Sequence, residues 1–193
     1  MMTYTEAIEG VLENSHKFIL SNDEIVQINA WVIRFVQIKK IQEGFYKNRS
    51  ISNLAVSYQN GYQAEVCVEK LLKIKFIDWG ILKKNIQVSE HNFSDLKNID
   101  LDIGIKSSVF GLPALVSINP TTPEIICVRL TDKGITTIYI CGYASVDCLK
   151  KYSNKNISHP ADCIGKKMSF FGYKFLQPFE SIKDLEELLK NAS

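Results

Sequence analysis

Two runs rich in β-branched residues, EIICVRLT (residues 124–131) and TTIYICGYA (residues 136–144), stand on either side of Asp132, Lys133 and Gly134. Such runs around a short glycine-containing turn read as a β-hairpin. NIQVS (residues 85–89) and IDLDIGIKSS (residues 99–108) have the same character and extend the hairpin into a sheet.

The chain before residue 77 has a different period. SNDEIVQINAWVIRFVQIKKIQEGFYKN (residues 21–48) opens with Ser21 three residues before Glu24, a capping box, and places Ile25, Ile28, Val32, Phe35 and Val36 at helical spacing. Trp31, Ile33 and Ile38 make this helix apolar on more than one side, so it is expected to be either deeply covered or part of a subunit contact, for which a second copy of the chain is one source. SYQNGYQAEVCVEKLLKIKF (residues 57–76) is a second helix with Val68, Leu71 and Leu72 on its apolar side. After the sheet, Ser145 opens a short helix through VDCLKKYS, and SIKDLEELLK (residues 181–190) forms an amphipathic terminal helix. The order of helices, sheet and helices implies a mixed α/β (α+β) fold around one central sheet flanked by helices. Its 193 residues are expected to form a single domain, with an N-terminal helical segment over 1–57, a core over 58–152 and a C-terminal extension over 153–193.

Charge and cysteine usage narrow the function classes. The 23 basic and 21 acidic residues leave a net charge of +2, which permits nucleic acid as a partner without demanding it. The N-terminus has early acidic residues and no apolar core, and Gln27, Asn29, Arg34 and Gln37 interrupt the most hydrophobic window, so a soluble, cytoplasmic protein without membrane contact is expected. Cys67, Cys127, Cys141, Cys148 and Cys163 are scattered with no CxxC pair, as buried reduced thiols are, not as a disulfide framework or zinc site. His16, His91 and His159 lie far apart in polar segments, and no phosphate-loop motif occurs, which argues against a histidine-based triad or nucleotide binding.

Chemistry is expected where charge meets the sheet. In NIDLDIGIKSS (residues 98–108), strand alternation sends Ile99, Leu101, Ile103 and Ile105 to one face and Asp100, Asp102, Gly104 and Lys106 to the other. Glu65 sits on the second helix at the edge of its apolar stripe, an awkward place for a charge. Asp95 stands just before the Lys97-Asn98 turn that feeds the strand.

GYQAEVCVEKLL with Glu65, FSDLKNIDLD with Asp95, Asp100 and Asp102, and IKSS with Lys106 together resemble the core of the PD-(D/E)XK, or restriction-endonuclease-like, nuclease superfamily. GYASVDCLKKY, a Gly-Tyr at a strand end followed by a short helix, continues the likeness, which spans roughly Gln59 to Tyr152. The resemblance implies a restriction-endonuclease-like mixed sheet and a magnesium-dependent DNA endonuclease, with manganese able to substitute. Asp102 and one of Asp95 or Asp100 would bind the metal with the Ile105 carbonyl, Glu65 would hold a water or a second ion, and Lys106 would orient the attacking water. Hydrolysis of a phosphodiester adds negative charge, so fixed positive charge beside it is required. Crowded carboxylates repel by roughly 4 kcal/mol per close pair at intermediate dielectric, a cost that a cation removes. Cleavage of duplex DNA implies two active sites and hence a homodimer.

Gly104 departs from the family pattern, which has an acid two residues before the lysine. Two outcomes follow: Asp102 supplies the carboxylate, or the site is impaired and the chain is a nucleic-acid or protein binding module on the same fold. Spacing favours Asp95 as the motif aspartate, whereas alternation favours Asp100. A third reading, an interaction protein unrelated to nucleases, explains the acidic strand as a solvated surface. Lys150, Lys151 and Lys155 around Tyr152, together with Lys166, Lys167 and Lys174, form basic clusters suited to a phosphate backbone.

Overall fold

The computed structural model describes residues 3–43, 51–77, 79, 95–96, 99–154 and 167–191. Its centre is a four-stranded sheet in the order β1-β5-β4-β2, made of β1 (His16–Ile19), β2 (Gly104–Val109), β4 (Glu124–Asp132) and β5 (Ile135–Ala144). β2 runs parallel to β4, and the other pairs are antiparallel, so the sheet is mixed. The hairpin turn is shorter than the sequence implies. Asp132 pairs with Ile135, and the two central residues, Lys133 and Gly134, have φ of 47° and 81°. Positive φ at both positions is the type I′ geometry, whose twist matches that of the flanking strands.

One face of this sheet is covered by helices and the other by a second sheet. Ile105, Ile125, Cys127, Ile138 and Ile140 pack with Ala64, Cys67, Val68 and Leu72 of α3 (Ile51–Leu72) and Leu185 of α5 (Ile182–Asn191). Alternation sends Ile126 and Val128 to the opposite face. There they meet Ala114 and Val116 of β3 (Ala114–Ser117) and Met168 and Phe170 of β7 (Lys167–Phe170). With β6 (Ser153–Asn154), these strands form an antiparallel sheet in the order β3-β7-β6. The expectation of a single central sheet is therefore corrected: the short runs around Ala114 and Met168 are too brief to advertise themselves as strands, and only their pairing defines them.

The helical spacing of Ile28, Val32, Phe35 and Val36 is realised in α2 (Asn22–Glu43), which packs these residues on Leu54 and Ala55 of α3. Each fully buried side chain of this kind contributes about 1.5–3 kcal/mol. The capping box at its start is present: the Ser21 amide donates to Glu24 Oε2 at 2.9 Å, and the Glu24 amide donates to Ser21 Oγ at 3.2 Å. α3 begins six residues before the expected position and runs across residues 57 and 58. The N-terminal segment also contributes α1 (Tyr4–Ile8) and the edge strand β1, neither anticipated from the sequence. α4 (Val146–Lys151), capped by Ser145, follows β5 as expected.

The strand expected over residues 99–108 begins only at Gly104. Asp100 has a φ of 61°, a left-handed conformation that breaks strand alternation at that point. The expected strand over residues 85–89 lies outside the described residues. Among the described residues, no helix is long and apolar enough to cross a membrane, and Cys67, Cys127, Cys141 and Cys148 are free thiols.

Candidate functional site

Among the described strands, β2 is the outermost on its side of the central sheet, so one side of its backbone pairs with no described strand. The segment before it engages that side at two points: the Leu96 amide donates to the carbonyl of Ile103, the residue before β2, at 3.1 Å, and the Ile105 amide donates to the Asp95 carboxylate. Asp95 is thereby held against the strand one residue from Lys106. In an extended strand the N–H and C=O of one residue point to the same side, so the Ile105 carbonyl also faces this edge. The Gly104 amide points inward, donating to the Pro123 carbonyl at 2.9 Å.

Parallel pairing of β2 with β4 sets Gly104 beside Glu124. Both are buried, and Glu124 lies directly over the glycine: a Cβ at position 104 would fall 2.1 Å from Glu124 Oε2 and 2.9 Å from its Cδ. The space that a side chain at 104 would take is filled by the neighbouring strand's carboxylate. Glu124 Oε1 lies 3.4 Å from Lys106 Nζ, while Oε2 is buried without a hydrogen-bond partner.

Glu65 on α3 completes the cluster from the helical side. Burial raises its carboxyl well above the ordinary glutamate range, and Asp95 and Glu69 push the same way against the opposing pull of Lys106. Burial likewise raises Asp95, against Lys106 and the Ile105 amide. It raises Glu124 against Lys106, with Asp95 adding to the rise and Lys167 opposing it. Burial alone would lower the Lys106 ammonium, but Glu124, Asp95 and Glu65 together hold it above the usual lysine range. Tyr62, one turn before Glu65, is pushed up by burial and by the charges of Glu65 and Asp95.

Glu65, Asp95 and Glu124 thus set three carboxyls against the Lys106 ammonium among the described residues, with Lys167 also drawing on Glu124. Such an excess of like charge favours a bound cation. Among the described residues, no group of three or more His, Cys, Asp and Glu is arranged to hold a metal ion by side chains alone. A hard cation such as magnesium needs only one or two carboxylates, because it keeps several waters. Asp95, Glu124 with its unpartnered Oε2, and the Ile105 carbonyl are oxygen donors of the required type.

The sequence-derived residues divide accordingly. Glu65, Asp95 and Lys106 act on one another in the cluster. Asp100 and Asp102 are exposed and lie ahead of β2, outside the strand that carries Lys106. Alternation, the reason for favouring Asp100, fails because residues 99–102 precede the strand. Glu124 was not foreseen. Its signal is an acid immediately before four buried apolar residues, Ile125 to Val128, but only the parallel register connects it with Gly104.

Glu69 is buried for a different purpose. Its Oε1 accepts hydrogen bonds from the Phe76 and Ile77 amides at 2.7 and 2.9 Å, tying down the chain that leaves α3. No family model matches this chain, and no curated protein or solved structure is similar to it.

Proposed function

We propose that this protein is a metal-dependent deoxyribonuclease of the restriction-endonuclease-like class, with Asp95, Glu124 and the Ile105 carbonyl as the metal-binding oxygens. The observation that carries this reading is the Glu124 carboxylate lying over Gly104 beside Lys106, with one oxygen buried and unpartnered. It accounts for the glycine that otherwise marks an impaired site, because the acid is supplied from the next strand in place of position 104.

A magnesium ion, when bound, supplies fixed positive charge beside the scissile phosphate. Lys106, held by Glu124 on the same strand pair, presents its ammonium to the charge that develops on the phosphate and orients the attacking water. Glu65, on the helical side of the cluster, is suited to accept a hydrogen bond from that water and, when ionised, to take up its proton. A homodimer, with one site per DNA strand, would use the outer face of α2, where Val26 and Ile33 stand 64% and 44% exposed one heptad apart.

The test is cleavage of supercoiled plasmid and single-stranded DNA with magnesium or manganese. The wild type should cut, and Glu124→Gln and Lys106→Ala should each lose about a hundredfold or more. If the folded wild type is inert at high enzyme and metal, the nuclease reading fails and the binding-module reading replaces it.

A further inference from the structure

Beyond the acid cluster, the same end of the sheet carries an aromatic pair with no role in the proposed chemistry. Tyr152, at the end of α4, and Phe175, in the 3-10 turn Tyr173–Phe175, stack with ring centroids 4.0 Å apart and planes 5° from parallel. Two such rings commonly bury each other in a core, yet Phe175 remains 48% exposed. Lys151 Nζ lies 5.2 Å from the Tyr152 ring centroid, and Lys174 adjoins Phe175. Lys150, Lys151 and Lys174 are exposed, and no described residue forms an ion pair with them, though Lys174 acts at a distance on the exposed Glu6.

The stack is tied to the candidate site from two directions. Glu124 pairs with Ala144, and Ser145 next to it caps α4, whose six residues span about 9 Å before Tyr152. On the other side, Gln177 bridges to Tyr143, the residue before Ala144, two positions after Phe175. Two glycines permit this approach. A Cβ at Gly172 would meet the Phe170 ring at 2.6 Å and Tyr152 Cβ at 2.8 Å, and one at Gly142, where φ is 138°, would meet the Gln177 carbonyl oxygen at 2.8 Å. The chain is pared to glycine where Phe175 is brought onto Tyr152.

We infer that Tyr152 and Phe175, flanked by Lys151 and Lys174, form a docking platform for single-stranded nucleic acid leading to the acid cluster. An unpaired base presents a π-face that an exposed, pre-stacked aromatic extends, and its phosphates match the exposed lysines. In a duplex these faces are already stacked on neighbouring bases, so the platform selects unpaired strands. It deepens the nuclease reading and rests on it for its purpose, but not for its existence.

The experiment measures binding of labelled oligothymidylate, oligouridylate and a mixed-sequence duplex to the full chain in EDTA, comparing wild type, Phe175→Ala and Lys151→Ala/Lys174→Ala, each checked for wild-type circular dichroism. Phe175→Ala should weaken single-strand binding by about five- to a hundredfold and leave duplex binding unchanged. The double lysine variant should lower the slope of log affinity against log salt by about 0.7 per lost contact. Equal loss with both single strands assigns shared backbone and base chemistry; loss with one alone identifies that nucleotide, deoxythymidylate or uridylate, as the target, and both support the platform. Unchanged single-strand binding by Phe175→Ala, equal loss with the duplex, or no binding by the wild type overturns it. Phe175-dependent binding without magnesium-dependent cleavage leaves the platform standing and removes the nuclease reading, whereas cleavage with no effect of Phe175→Ala does the reverse.

Discussion

Gly104→Ala separates a structural from a chemical role for the carboxylate above it. The new Cβ would stand 2.1 Å from Glu124 Oε2, inside the 3.0 Å that such contacts essentially never breach, so the carboxylate has to move by about 1 Å or more. What moves is the end of a flexible side chain, so the fold absorbs the change. Alanine gains up to about 0.5–1 kcal/mol over glycine in extended chain, less at the first residue of a strand such as Gly104, which partly offsets the strain of the displaced glutamate. The net stability change is therefore expected within about 1 kcal/mol, or about 2–4 °C in Tm for a chain of this size. Misplacement of a catalytic group by about 1 Å costs on the order of a hundredfold in rate. Thermal denaturation and plasmid cleavage measured on the same preparation give the comparison: near-native Tm with cleavage down about a hundredfold is expected. Wild-type cleavage by Gly104→Ala would refute the placement of Glu124 in the site, and joint collapse of stability and activity would refute the reasoning that the side chain can yield.

The remaining expectations concern charge and burial. Glu65 has a folded-state pKa raised above its unfolded value, so its stabilising contribution is complete in acid and is lost as pH rises through the folded pKa. Glu65→Gln should therefore raise the Tm of the metal-free protein near neutral pH and lose that advantage in acid, with magnesium narrowing the neutral-pH gap; a gap independent of pH in melts from pH 4 to 8 would contradict the electrostatic assignment. Glu69→Ala strands the Phe76 and Ile77 amides and should cost about 2–4 kcal/mol in urea denaturation, whereas a cost below about 0.5 kcal/mol would mean that those amides find other partners. Asp100→Asn and Asp102→Asn alter exposed groups and should leave cleavage within about twofold of wild type, so a large loss from either would return that aspartate to the site.

What the sequence made legible follows the range of the interactions involved. The α2 capping box, the helical stripe of Ile28, Val32 and Phe35, and the β4–β5 hairpin are local patterns, and each appears where it was read. The pairing of β3 with β7 joins residues about fifty positions apart and leaves no local period to read. At the site, Glu65 stood out as a charge on an apolar edge and Asp95 as an acid at a strand entrance, both local signals. Strand alternation would set the Asp100 side chain on the face of Lys106, and a single left-handed residue removes that relation. Glu124 was invisible for the converse reason, since nothing nearby in sequence connects it with Gly104.

On the nuclease reading proposed above, that connection also explains physically why position 104 carries no acid. Paired residues on adjacent parallel strands lie about 4.8 Å apart with side chains on the same face, a gap that a glutamate can span when its neighbour has no side chain. The close approach is accounted for by glycine at 104 and a long acid at 124, and the two positions should behave as one unit. Glu124→Ala removes the carboxylate, and Gly104→Asp sets a second acid against the first; each should cleave about a hundredfold more slowly than wild type. In Gly104→Asp/Glu124→Ala the new aspartate enters space that alanine has vacated, beside Lys106 and Asp95. The double variant should then cleave faster than either single variant, a coupling opposite in sign to independent losses. Rates for the four proteins, each checked for a native melt, complete the cycle. If the double variant is as slow as the product of the two single losses, the carboxylates do not share one position, and Glu124 holds Lys106 without taking part in the chemistry.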